Sequence, residues 1–158
     1  MFEIGDKVVH PMHGAGVIAD IISGGAGTRM QDYYVLKIPS CGMDVMVPIS
    51  NCDEIGVRPV IDRKRADEIL ASIDDIETDS SQNWNKRYRE NMVRIKSGDL
   101  LEVARVIKCL VKREKERGLS TGERKMLHSA RQILVSELVL ARAQPKDEVE
   151  RVLSLVGL

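Results

Sequence analysis

The chain has 158 residues, with 24 basic and 24 acidic side chains, 43% hydrophobic residues and only 3% aromatic ones. This composition fits a globular protein of one medium domain or two small ones, with cores built from aliphatic side chains. It excludes a bilayer-spanning stretch of ~20 apolar residues, and Met1–Asp6 has no basic-then-apolar leader pattern.

The zero net charge is unevenly laid along the chain. Residues 1–82 carry 7 basic and 14 acidic side chains, residues 83–131 carry 14 and 6, and residues 132–158 carry 3 and 4. The three cysteines, Cys41, Cys52 and Cys109, are odd in number and lack metal-type spacing. They read as reduced thiols of a cytoplasmic protein.

Residues 1–60 read as β. Val8-Val9 precedes His10-Pro11, where proline ends or edges a strand. Gly14–Ile22 is a second strand, Ser23–Gly27 a glycine-rich hairpin turn, and Asp32–Ile38 a third strand rich in β-formers. No helix start and no Gly-Lys-Ser/Thr follows the glycines, so a phosphate loop is disfavoured. Met43–Pro48 is a fourth strand, and a short fifth is expected near Glu54–Arg58. Five short strands at tight spacing predict a small barrel, since closure removes adhesive edges.

The pattern turns helical at Pro59–Asp62. Asp62 is a predicted N-cap for a helix whose inward face is Ile69, Leu70 and Ile73. Asp74–Ser81 is polar and reads as a connecting loop. In the next helix Trp84, Tyr88, Met92 and Ile95 share one face, and Ser97-Gly98 ends it. Asp99–Glu102 and Ser120–Glu123 have the form of capping boxes. The helices they open carry apolar stripes through Leu110 and Leu138, and Pro145 opens a last short helix. The expected architecture is α+β in two domains: a Tudor- or SH3-like β barrel over residues 1–60 and an all-α bundle over 61–158.

Catalytic chemistry finds no constellation. The sequence has no nucleophile elbow, no P-loop and no His-Glu-x-x-His. His10 and His13 are an i, i+3 pair without a third placed ligand, so no metal site and no cofactor are expected. Nucleic-acid chemistry finds more. Lys86, Arg87 and Arg89 crowd around Trp84, and Arg124 and Lys125 follow on a later helix end. Such density suits a phosphate backbone. Trp84, the only tryptophan, has two readings: a core anchor beside Tyr88, or an exposed wedge against base steps.

Four ordered motifs resemble the CarD-type bacterial transcription regulators along nearly the whole chain. They are Gly5–Gly16 (Gly-Asp-Lys-Val-Val-His-Pro-Met-His-Gly-Ala-Gly), Asn83–Asn91 (Asn-Trp-Asn-Lys-Arg-Tyr-Arg-Glu-Asn), Glu116–Glu123 and Ala130–Leu138. The first also resembles a barrel of transcription-repair coupling factors. The resemblance implies that the barrel binds the RNA polymerase β subunit through its fourth-strand edge, around Val45, Met46, Val47 and Pro48. It implies that the helices meet promoter DNA at the upstream edge of the transcription bubble. Trp84 would wedge into the minor groove and stabilise the open complex, with phosphate contacts from Lys86, Arg87, Arg89, Arg124 and Lys125. Some relatives carry Arg where this chain has Met46. Met43 and Met46 fit either an adaptable contact surface or the barrel core. No membrane or small-molecule substrate is implied. A second function class stays open: an interaction adaptor with Trp84 buried and the basic helices facing an acidic partner.

Overall fold

The computed structural model describes residues 1–24, 31–78 and 83–158. Strands β1 (Lys7–His10), β2 (Gly14–Gly24), β3 (Gln31–Ile38), β4 (Met43–Pro48) and β5 (Arg58–Pro59) form one antiparallel sheet in the order β4-β3-β2-β1-β5. β4 and β5 are therefore the two ends of the ladder. The β2–β3 turn predicted over Ser23–Gly27 begins inside β2, and from residue 25 it lies outside the described residues.

Alternation along the strands gives the sheet an inner face. Val8, Ile18, Tyr34, Leu36, Ile38 and Val47 are buried there, closed off by Cys52 and Val57. With so few aromatics, one pair does much of the filling. Phe2 meets Tyr34 edge-on, with ring centroids 6.0 Å apart, and its N–H donates to the Tyr34 hydroxyl at 3.0 Å. Gly16 lies where β2 crosses β3. A Cβ there would sit 2.2 Å from the Lys37 carbonyl oxygen, so only glycine admits this approach.

The predicted fifth strand is present but shorter and later in the chain than expected, because helix takes the residues before it. Residues Ile49–Asn51 form a 3-10 turn and α1 runs Cys52–Ile55, leaving β5 only Arg58–Pro59. The physical cause is local. Asp53 and Glu54 lie in the first turn of α1, where carboxylates suit the dipole, and Gly56 takes φ 92 to stop it.

The remaining chain is helical: α2 (Arg63–Ser72) with a 3-10 turn at Ile73–Asp75, α3 (Trp84–Lys96), α4 (Leu100–Arg117), α5 (Thr121–Arg142) and α6 (Lys146–Leu155). The predicted stripes meet in one core, in which Ile69, Ile73, Ile107, Leu134 and Leu138 are essentially sealed. Asp62, Asn83, Asp99 and Ser120 each cap a helix by accepting from a backbone N–H. The 3-10 turn after α2 is tied down by a cation. Lys108 Nζ donates to the carbonyls of Ile73, Asp74 and Ile76 at 2.8, 3.0 and 2.9 Å. Pro145 serves as the N-cap of α6, one position before the helix proper.

Candidate nucleic-acid interface

Asn83 starts α3 by accepting from the Lys86 N–H, and this puts Trp84 on the first helical residue. Its indole stacks on Tyr88, with centroids 5.1 Å apart and ring planes at 20°. The indole Nε1–H donates to Ser120 Oγ at 3.0 Å, at the N-cap of α5. Gly122 lies beneath both rings, and a methyl group there would reach Trp84 Cζ2 at 3.6 Å and Tyr88 Cε2 at 3.8 Å. Trp84 is nevertheless 41% exposed, so it is seated and open to solvent at once.

Behind the indole lies a buried charge cluster. Glu123 is 4% exposed; its Oε1 accepts from Ser120 Oγ at 3.1 Å. Arg87 approaches that carboxylate at 3.5 Å and Arg113 at 3.7 Å. A carboxylate enclosed by two guanidinium groups repays part of its desolvation. The Arg87 side chain is only 11% exposed, so its guanidinium supports the Trp84 seat from within. The cations that face solvent are others. Lys86 is exposed, with Glu90 4.0 Å away, and Arg89 is exposed on the same outer surface. Val93, 69% exposed, lies between Arg89 and Arg94 in a shallow groove also lined by Lys86. Arg124 and Lys125 are exposed on α5, and Arg124 lies one turn from Ser120. Two helices that meet at the Trp84–Ser120 bond thus carry one seated aromatic and four solvent-facing cations, with Lys86 and Arg89 on the side of α3 away from Trp84.

On the sheet, among the described residues, β4 pairs with β3 alone. The register sorts its residues. Val47 is opposite Tyr34 and 3% exposed, and Val45 is opposite Leu36 and packs on the sheet core. Met46 is opposite Val35 and Pro48 opposite Tyr33, both pointing to the outer face. Met46 is 53% exposed, while Met43 packs on the core. The fourth-strand set is therefore split: Met46 and Pro48 present a surface with Val35 and Tyr33, and Val45 and Val47 hold the strand down. The His10 and His13 rings meet at a tilt of 47° with centroids 4.5 Å apart, and among the described residues no group of three or more metal-ligand side chains occurs.

The CarD-like/TRCF RID domain model matches residues 2–61, and the CarD C-terminal domain model matches residues 68–154. The chain belongs to the CarD family. It is also 35% identical over 150 residues to a protein of Bacillus subtilis (strain 168) named putative transcription factor YdeB. That match spans 95% of this chain and 98% of the relative.

CarD membership makes this a protein of a transcription-regulator family, which is not an enzyme class. No helix among the described residues is long and apolar enough to cross a membrane. Of the six residues expected on DNA, five are solvent-facing and Arg87 is turned inward. Sequence reasoning missed Ser120 as the partner of Trp84, because its capping-box role already accounted for it. Gly122 was the available signal. A Cβ there would only touch the two rings, so the signal is weak.

Proposed function

We propose that this chain is a transcription regulator that binds the RNA polymerase β subunit through its sheet and promoter DNA through its helices. It stabilises the open complex by setting Trp84 against the minor groove at the upstream edge of the bubble. The observation that carries the reading is the half-exposed Trp84 at the meeting of α3 and α5, two helices that present Lys86, Arg89, Arg124 and Lys125 to solvent. An apolar wedge costs a few kcal/mol of unstacking per base step, and that cost is lowest at the edge of an existing bubble. Cations beside the wedge add contacts to phosphate that carry no sequence information.

The sheet supports the polymerase half of the reading. A strand at the end of a ladder offers unpaired N–H and C=O groups to an added strand. β4 is such a strand, and Met46 and Pro48 lie on the outward face beside it. The match to the CarD-like/TRCF RID domain over residues 2–61 points the same way. Tethering to polymerase raises the local concentration of the helical face at the promoter, so individually weak DNA contacts suffice. The adaptor reading asks for a buried Trp84, and 41% exposure weighs against it.

The test is open-complex lifetime in a reconstituted polymerase–promoter system. Trp84→Ala should shorten the protein-dependent lifetime about ten-fold, the scale of one lost base–aromatic contact, with polymerase binding unchanged. A lifetime indifferent to Trp84→Ala rules out the wedge.

A further inference from the structure

A second face of α5 reaches across to the sheet, and it belongs to neither surface described above. Glu137 is fully buried, at 0% exposure. Its two carboxylate oxygens accept from Arg58 Nη2 at 2.7 Å and Nη1 at 2.8 Å. The same carboxylate accepts from the Ile61 backbone N–H at 3.0 Å. Arg58 is a β5 residue paired with Val9 of β1, so its guanidinium is fixed to the sheet. Beside Glu137, Ser136 Oγ accepts from the Ala15 N–H at 2.8 Å. One turn earlier, Gln132 Nε2 donates to the His13 carbonyl at 3.1 Å. Positions 132 and 136 share one face of the helix, and 137 lies on the flank beside it. Gly14 completes the fit: it takes φ +109, and a Cβ there would lie 2.5 Å from Ser136 Oγ.

Stability alone does not account for this arrangement. A buried ion pair is often no better for stability than apolar residues of the same shape. A two-pronged guanidinium–carboxylate pair does supply a fixed orientation. Here it grips β5, while Ser136 and Gln132 grip the β1–β2 turn. Two separated points of attachment resist rotation as well as displacement. The same helix seats Trp84 at its first turn through Ser120. Along an unbroken helix, Ser120 and Ser136 are about 24 Å apart.

We infer that Glu137, Ser136 and Gln132 are positioning residues that lock the sheet onto α5, making α5 the shaft that fixes the reach from β4 to Trp84. The lock stands on the geometry; its functional consequence rests on the proposed polymerase and DNA contacts. Two contacts held by a spacer of the right length reinforce each other, and a slack joint forfeits that gain.

Residual dipolar couplings on the full-length chain read the lock directly. One alignment tensor should fit the amides of sheet and helices together. Glu137→Gln keeps the side chain's size, and Gln132→Ala with Ser136→Ala leaves the ion pair alone. Each should require two tensors. Open-complex lifetime should fall about five-fold in both, the low end of site-to-site coupling, with polymerase affinity held. Two tensors in the wild type overturn the lock, and one tensor in both variants overturns its assignment to these side chains. Two tensors with an unchanged lifetime overturn its part in reach. Trp84→Ala, measured alongside, separates the readings. If it too leaves the lifetime unchanged, the DNA reading has failed and the tensors alone judge the lock.

Discussion

The Trp84 indole N–H donates to Ser120 Oγ at 3.0 Å, joining the first turn of α3 to the N-cap of α5. Ser120 also caps α5, accepting from the Glu123 N–H at 3.2 Å. One hydroxyl therefore sets both the start of a helix and the angle of the exposed ring. Ser120→Ala should cost about 1 kcal/mol through the cap. It should also free the indole, moving the single indole N–H resonance of the chain and weakening open-complex stabilisation. Ser120→Thr keeps an acceptor and should restore both. An indole resonance that does not move in Ser120→Ala would break the link between the two residues.

Arg87 and Arg89 are two residues apart in sequence, yet they should fail in different assays. Arg87 is 11% exposed against the buried Glu123, while Arg89 faces solvent. Arg87→Ala leaves the carboxylate with one fewer partner and should lower unfolding free energy by about 2 kcal/mol. Arg89→Ala should leave urea unfolding unchanged and reduce the salt slope of DNA binding by about 1. A salt slope that drops for Arg87→Ala and holds for Arg89→Ala would reverse the assignment.

How much of this was legible in the sequence follows from the range of each interaction. Three helix starts were readable because caps are local: Asp62, Asp99 and Ser120 act within three residues of themselves. Trp84 and its cations were readable as a cluster because Lys86, Arg87 and Arg89 share its helix. Which of those cations turns inward was not, because the Glu123 that draws Arg87 is 36 positions away. The 1–60 segment read as β throughout, and α1 was missed there. A four-residue helix has no periodicity to detect, and its signal was only two acids followed by Gly56. The grip of Glu137 on Arg58 left no local trace, since the pair spans 79 positions.

On the sheet, Met46 and Val47 are adjacent and opposite in role. Met46 is 53% exposed on the outer face, and Val47 is 3% exposed in the core. Met46→Asp should abolish polymerase pull-down with thermal unfolding unchanged. Val47→Ala removes two buried carbons and leaves a cavity, so it should cost about 2 kcal/mol. Pull-down that survives Met46→Asp would move the contact away from this face.

His10 gives the chain an acid limit. Burial, with His13 beside it, pushes its imidazole down to about 4. Its Nδ1 also accepts from the Met12 N–H at 3.1 Å, which requires that nitrogen to be unprotonated. An unfolded chain takes up the proton near pH 6.5. The unfolded state therefore binds more protons between about pH 6.5 and 4, and acid in that window favours unfolding. The stabilisation is complete above pH 6.5 and is lost as pH falls toward 4. The effect bears on the junction with α5, because the neighbouring His13 carbonyl is the acceptor for Gln132. His10→Gln keeps an acceptor and removes the titration, so its melting temperature should fall less than that of the wild type between pH 7 and pH 5. Carboxylates titrate alike in both proteins and cancel in the difference. Equal falls in the two would acquit His10.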